Sequence, residues 1–468
     1  MRILNGIMAA YVLFWTMAFV GSCRAEEAKD AANVADVEET SSDTLKIDEA
    51  VLENGLRIIA VHTNIKNVVT GGIGYFVGSG DDPRNVVGIS HVLEHLMFKG
   101  TKNLDGKKLK EIIFTYNKDS NAFTSYDVTF YMHTCKKEFL DLDLKIEADR
   151  MQNLALREED IKKELGVVIE ERKMRTESDP RINYMEESAW KAMYLFSNYS
   201  YPVIGYLDQI EACTKEEIQK HYKKHYIPPN AFILLVGDIT LEEAVTLVKK
   251  HFGAIPRGTK VERKRVIDPT DVSIRYTMDH DSKQITVHNL NMAYKIERSL
   301  ISNLRKLKIV ELAAGILAIG QGSVLYQNLV DKEELAYVVG SYVDVRAFDK
   351  ARLSISTVFR ENKKMEDVKN KMTEIIHNFS RTYLTAELLE NEKRKMLDEL
   401  EISNDNPQRL FMIILDPIVN GYSTAELREM KSIIKGIKLE EVLAVANQIF
   451  IAENRIMSIY SHPPSVGS

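Results

Sequence analysis

Two histidines and a glutamate stand in the order His-x-x-Glu-His at residues 91–95, inside the run Gly88-Ile-Ser-His-Val-Leu-Glu-His-Leu-Met-Phe98. On an α-helix, side chains three and four apart share a face. The spacing therefore predicts that His91 and His95 point the same way, with Glu94 beside them. Two neutral imidazoles so placed can hold one divalent metal, zinc being the usual choice. A carboxylate next to them can take a proton from a water molecule. This is the equipment of a metallopeptidase, with the motif order inverted relative to His-Glu-x-x-His. The competing reading is a chance pair among 11 histidines. The apolar neighbours Val92, Leu93, Leu96, Met97 and Phe98 weigh against it. Two histidines and a glutamate in a buried stripe need polar partners, and a metal would supply one.

A catalytic zinc takes three protein ligands and keeps one position open. Residues 157–173 read as a helix dense in carboxylates, with Glu164, Val168 and Glu171 on one face at i, i+4, i+7. Spacing alone does not choose between Glu170 and Glu171 as the third ligand. Nor does it exclude acidic residues that face water and pair with Lys162, Lys163, Arg172 or Lys173.

The chain resembles the pitrilysin or insulinase family of zinc metallopeptidases, which includes the mitochondrial processing peptidase. The resemblance rests on the inverted motif together with Leu-Glu-Asn-Gly-Leu-Arg at 52–57, His-Leu-Met-Phe-Lys-Gly-Thr at 95–101, Asn-Ala-Phe-Thr-Ser at 121–125, Pro229-Asn-Ala231, Gly237-Asp238 and His251-Phe-Gly253. It implies that a glutamate 76 residues after the last motif histidine completes the metal site, which is Glu171. A second family glutamate lies seven residues earlier and close to the site, which is Glu164, a candidate for electrostatic support of catalysis. One zinc ion per chain is implied, with Glu94 as general base. The resemblance also places Asn121 and Ala122 on an exposed sheet edge beside the zinc, where an extended substrate could add as a strand. Taken alone, that segment is a plain strand start with a turn-favouring asparagine. Relatives usually carry glycines just before it, whereas this chain has Asn117-Lys-Asp-Ser120.

Active assemblies of the family present an arginine and a tyrosine to the zinc domain from a domain that faces it. Tyr337 matches the tyrosine, but the arginine position is Val330, and a nearby position often basic in relatives is Val324. Valine cannot donate a hydrogen bond. The expected function is thus a zinc-dependent endopeptidase that hydrolyses peptides or unfolded polypeptides in a chamber formed with a second subunit, which supplies the pair. A homodimeric peptidase and a non-catalytic scaffold of the same fold are the alternatives. Taken alone, Tyr337 reads as a packed strand residue.

The elements that must position these residues read as α+β: two related α/β domains, each a mainly antiparallel sheet covered by helices. The relatedness is implied by the resemblance and not by composition. Strands are expected at 45–61 around the Asn54-Gly55 turn, at 68–77, 121–133, 232–236, 285–288, 336–345 and 351–359. Helices are expected at the motif, at 107–116, 137–153, 158–176, 241–252 and 303–319, and they dominate from 364 onward. The N-terminal zinc-binding domain would span 46–256, a linker 257–273 and the C-terminal domain 274–468. The basic run 257–265 reads as a solvated linker.

Composition is that of a soluble globular protein, 45% hydrophobic and 28% charged. A net charge of −6 gives no footprint for nucleic acid. Residues 1–25 read as a secretory signal peptide cleaved after Ala25, with lipidation of Cys23 or a retained anchor as alternatives. Residues 26–45 read as a flexible tether. An exported protein follows, in the bacterial periplasm. After cleavage only Cys135 and Cys213 remain, too few for a disulfide framework, and sequence leaves their pairing open.

Overall fold

In the computed structural model the Asn54-Gly55 pair reverses the chain between β1 (Ile47–Val51) and β2 (Arg57–His62), with Gly55 at φ +91°. Asn54 Nδ2 donates to the carbonyls of Phe252 and Ile255, at 2.8 and 3.1 Å, and so ties this turn to the end of the helix Leu241–Phe252. The structure describes residues 44–178, 190–263, 265–268, 277–280, 288–360 and 363–460. The expected signal peptide with Cys23, the tether up to residue 43, linker positions 264 and 269–273, and strand positions 285–287 lie outside these. Among the described residues no helix is long and apolar enough to cross a membrane.

Eleven strands form two sheets among the described residues. The remaining strands are β3 (Val68–Tyr75), β4 (Asn117–Thr124), β5 (Thr129–Lys136), β6 (Ala231–Gly237), β7 (Thr277–His280), β8 (His288–Ile296), β9 (Ala336–Asp344), β10 (Ala351–Phe359) and β11 (Arg455–Tyr460). The first sheet runs β1-β2-β6-β3-β5-β4 and the second β7-β11-β8-β10-β9. With β1 set aside, the two orders are the same when strands are ranked by chain position. Each contains one parallel pair, β2 with β6 and β7 with β11, and is otherwise antiparallel. The internal repeat that composition conceals is therefore explicit in the topology. The edge strands β4 and β9 occupy corresponding places. The motif helix follows β3, whereas β8 is followed by the helix Leu304–Ala318, apolar and buried over most of its length.

Alternation along the strands divides two cores. On one face of the first sheet, Ile58, Ala60, Ile73, Tyr75, Tyr131, Ile233 and Leu235 meet the motif helix and its neighbours. On the other, Ile59, Val61, Phe130, Phe232, Leu234 and Val236 join the core of the second half. The helix Pro407–Val419 closes that face, and Phe411 meets Phe130 edge-on with ring centroids 5.1 Å apart. Both faces of β6 are thus dry, which accounts for its unbroken apolar run.

Two expectations need correction, and one strand was not foreseen. Residues 121–133 are not one strand but a hairpin, β4 and β5, reversed at Ser125–Val128, where Val128 N–H and the carbonyl of Val128 bond to Ser125. Helices dominate from 364 onward as expected, but one strand there was not anticipated, since β11 returns to pair between β7 and β8 in the second sheet. The basic run 257–265 is not solvated throughout: Arg263 and Arg265 are buried ion-pair partners, with side chains 9% and 4% exposed. Their opposite charges come from positions far away in sequence, so local composition could not reveal them.

Candidate metal and proteolytic site

The motif helix Ile89–Leu96 starts at Gly88, which sits at φ +101°. A side chain there would meet Ile204 O at 2.7 Å and the Cα of Gly205 at 2.8 Å. Asp82 receives the free N–H groups of the first turn: Gly88 N–H donates to Oδ2 at 2.7 Å, Ser90 N–H to Oδ1 at 3.3 Å, and Ser90 Oγ–H to Oδ1 at 2.6 Å. Ile89, Val92, Leu93, Leu96 and Met97 are buried at the i, i+3, i+4, i+7, i+8 positions that anchor the helix on the first sheet. His91 and His95 project from it with ring centroids 4.8 Å apart.

The long helix Glu158–Ser178 packs against this helix and presents Glu164 and Glu171 to it. Glu171 Oε2 lies 3.9 Å from His91 Nε2 and 3.4 Å from His95 Nε2. One ligand atom from each of these three residues lies within 4.8 Å of the others, the one such group found among the described residues. Glu170 is excluded as the third member, since its side chain is 69% exposed and paired with Lys173. Glu164 Oε2 lies 3.5 Å from His95 Nδ1, and its other oxygen forms an ion pair with Lys99. Glu164 thus stands behind the His95 ring, where it orients the imidazole.

Burial, reinforced by the neighbouring His95, pushes His91 down to about 3 and keeps its ring neutral. Burial would lower His95 as well, but hydrogen bonds to Glu164 and Glu171 outweigh it and push His95 up to about 9. Burial opposes ionisation of Glu171. Its hydrogen bond with His95 and the nearby His91 and Arg175 overcome that and hold its carboxyl at about 2. Glu94 is buried, and burial raises it above the ordinary carboxylate range, partly offset by His95 and Thr124. Thr124 Oγ donates to Glu94 Oε2 at 2.6 Å, which leaves Oε1 for a proton.

The donor set fits zinc. The carboxylate oxygen lies 3.4 and 3.9 Å from the two imidazole nitrogens, and all three atoms lie within 4.8 Å of one another, against the ~3.3–3.5 Å expected between ligands about 2.0–2.2 Å from a tetrahedral ion. The His91 Nδ1 atom is buried without a partner, so the ring's Nε2 is the atom turned to the group.

Asn121 and Ala122 lie on β4, at the edge of the first sheet, three and two residues before Thr124. Asn121 Oδ1 accepts from Ala122 N–H at 2.9 Å. Just before them, β4 carries an irregular register between Asn117 and Asp119, and Asn117 Nδ2 contacts His133 Nδ1 at 3.2 Å. Tyr337 is on the other edge strand, β9, but is 57% exposed, against the expectation of a packed residue. Its place explains this: the register between β9 and β10 shifts there, Val338 facing Val358 and Ala336 facing Phe359, so Tyr337 is the residue left over and turned outward. The Arg360 guanidinium lies 5.0 Å from its ring centroid. Cys135 and Cys213 are both buried and free.

Sequence reasoning missed three supports. Thr124 and Lys99 lie within quoted motif stretches, but spacing gave no reason to aim them at Glu94 and Glu164. Arg175 Nη2 donates to Glu171 Oε1 at 2.6 Å, and its signal was present, since it follows Glu171 by one helical turn. Arg175→Met is expected to leave the fold intact and weaken zinc binding about 10–100-fold, read by competition with a chromogenic chelator.

Comparison with known proteins bears on the same residues. Residues 57–205, which contain the motif and Glu171, match the profile described as "Insulinase (Peptidase family M16)". Residues 212–396 match "Peptidase M16 inactive domain". The chain is 27% identical over 412 residues to zinc protease PqqE of Helicobacter pylori, covering 86% of this chain and 90% of that one. It is 25% identical to the probable zinc protease PqqL of Escherichia coli K12, over 76% of this chain but 38% of that longer protein. The fold superposes on the crystal structure of a protease from Helicobacter pylori with a TM-score of 0.79 at 24% identity, covering 89% of this chain and all of the other. With both halves matched by profiles of one family, and a zinc protease aligned along nearly its whole length, the chain belongs to the insulinase family of peptidases, M16.

Proposed function

We propose that this protein is a zinc-dependent endopeptidase that cleaves peptides or unfolded polypeptides outside the cytoplasm. The observation that carries the reading is the convergence of His91, His95 and Glu171, with Glu94 buried beside them. His91, His95 and Glu171 would hold the metal. When bound, zinc would supply Lewis acidity, polarising a scissile carbonyl and acidifying a water molecule. Glu94 would accept a proton from an attacking water at Oε1 while Thr124 holds Oε2, and would return it to the leaving amine. Glu164 and Lys99 fix the back of the His95 ring, and Arg175 fixes Glu171. The β4 edge, joined to Glu94 through Thr124, offers Asn121 and Ala122 as main-chain partners for an extended substrate. Export is supported by the N-terminal apolar segment and by the periplasmic location named for PqqL of Escherichia coli.

A partner subunit completes the chamber in this reading, because Val330 cannot supply the second donor. One observation favours the alternative of a self-sufficient homodimer. Arg360 brings a guanidinium to Tyr337 from the end of β10, so a cation and a phenol do stand together on the exposed β9 edge. The purified chain should contain about one zinc, and its casein hydrolysis should be low until a second family subunit is added. High activity of the isolated chain that Arg360→Met removes would establish the homodimer instead. Zinc bound with no hydrolysis under either condition would leave the scaffold.

A further inference from the structure

The basic segment that reads as a linker carries chemistry that the proposed reaction does not use. Arg263 donates from Nε to Asp81 Oδ1 at 3.0 Å and from Nη2 to Asp81 Oδ2 at 2.6 Å. It also reaches the Asp127 carbonyl at 3.1 Å. Arg265 bonds the same Asp81 through Nε and Nη2, at 3.3 and 2.5 Å, and pairs with Asp127 through Nη1. The two carboxylates are as buried as the guanidinia, at 6% and 5% exposure. Tyr199 Oη–H donates to Asp127 Oδ1 at 2.9 Å. The second half of the chain closes the cluster. Ala347 N–H donates to Asp127 Oδ2 at 3.2 Å, and the Phe348 ring lies 4.7 and 4.8 Å from the two guanidinium carbons.

What matters is where the two aspartates sit. Asp81 is followed by Asp82, whose carboxylate caps the motif helix through Gly88 and Ser90. Asp127 is in the β4–β5 turn, three residues after Thr124, whose hydroxyl holds Glu94. Two arginines therefore bind together the start of the ligand helix, the strand that orients the candidate base, and the 345–350 loop of the other half. Carboxylate–guanidinium forks are stiff and directional, so a displacement of that loop is passed to both supports at once.

We propose that Arg263 and Arg265 are positioning residues that make the geometry around His91 and Glu94 depend on how the two halves of the chain are docked. The inference rests on the peptidase reading for its kinetic consequence, but its structural consequence can be measured without turnover. The test uses Arg263→Lys and Arg265→Lys, which keep the charge and lose the fork, and Arg265→Met, which loses both. Phe411→Leu is the control. It loosens contact between the halves at the Phe130 ring and removes none of the cluster's hydrogen bonds or ion pairs. For each folded protein we would measure melting temperature, kcat and KM on a peptide, and affinity for Co²⁺ added to the metal-free chain.

The lysine variants are expected to lose tenfold or more in kcat with KM within twofold, and threefold or more in Co²⁺ affinity. Arg265→Met should be worse than Arg265→Lys, and Phe411→Leu should change stability alone. Unchanged kcat and Co²⁺ affinity in folded lysine variants would overturn the proposal. So would losses that follow melting temperature equally in Phe411→Leu. A wild type without turnover even after the second family subunit is added, whose Co²⁺ affinity still drops in the arginine variants, would sink the peptidase reading and keep the positioning role. If the lysine variants do not fold, Phe348→Leu carries the same readouts, since it removes the ring shared by both guanidinia and leaves every ion pair.

Discussion

Glu94→Gln is expected to bind zinc as the wild type does and to lose about 10²–10⁴ in kcat, the range typical of a general base. Glutamine nearly matches the shape of glutamate, and its amide can still accept from Thr124 Oγ, now 2.6 Å from Glu94 Oε2. What it lacks is a basic oxygen. The carboxylate is poised for that task, because burial raises it toward the pH at which it works while His95 and Thr124 keep it ionisable. Thr124→Val adds a second arm. It removes the donor and is expected to cost about tenfold in kcat, with the pH profile's acid limb moved upward because the charged form of Glu94 has lost a hydrogen bond. Metal analysis and a kcat–pH profile on one peptide check both. Full activity in Glu94→Gln would show that another group moves the proton.

The motif helix was legible because its requirements are local. Five apolar positions at helical spacing, a glycine before them and two histidines one turn apart are all within a dozen residues. Glu171 was only partly legible. Its helix was plain, but Glu170 and Glu171 are neighbours, and only packing against the motif helix turns one inward while the other stays in water. The resemblance decided between them before the geometry did. The supporting shell was harder, since Thr124, Lys99 and Asp82 reach their partners across tertiary contacts that no periodicity encodes.

The same divide runs through the fold. Most strands and helices followed from alternation and helical periodicity. The β4–β5 turn was hidden because Thr, Ser and Tyr at 124–126 fit a strand as well as a turn. The duplicated strand order could not be read from composition, because topology is set by which faces bury against which, and in the second half an apolar helix stands where the first half has the motif helix. The buried arginines show the converse error. A Lys/Arg-rich segment beside prolines is usually solvated, yet two of its members are enclosed because two distant aspartates meet them there.

Zinc uptake is expected to release close to one proton at pH 7, and the apparent affinity to rise about tenfold per pH unit up to about 9. The argument follows from the two nitrogens of His95. Nδ1 faces Glu164 and Nε2 faces Glu171, at 3.5 and 3.4 Å, so in the metal-free chain each is best served as a donor. The imidazolium is accordingly favoured up to about 9, although burial opposes it. A metal ligand must be neutral, so this proton has to leave. His91, pushed down to about 3, and Glu171, held at about 2, are already in their ligand forms at pH 7 and contribute nothing there. Between pH 7 and 9 the change is about a hundredfold, or ~2.7 kcal/mol at about 1.36 kcal/mol per unit. The sign reverses for the metal-free chain. A histidine raised above its unfolded value stabilises the fold fully below about 6.5 and loses that contribution as pH rises through about 9. Metal-free protein should therefore melt at lower temperature at pH 9 than at pH 7, while the zinc-induced rise in melting temperature grows over the same interval. Titration calorimetry in buffers of different ionisation enthalpy counts the proton. A count near zero at pH 7 would mean that His95 is already neutral before the metal arrives, and that Glu164 and Glu171 do not hold it as the geometry requires.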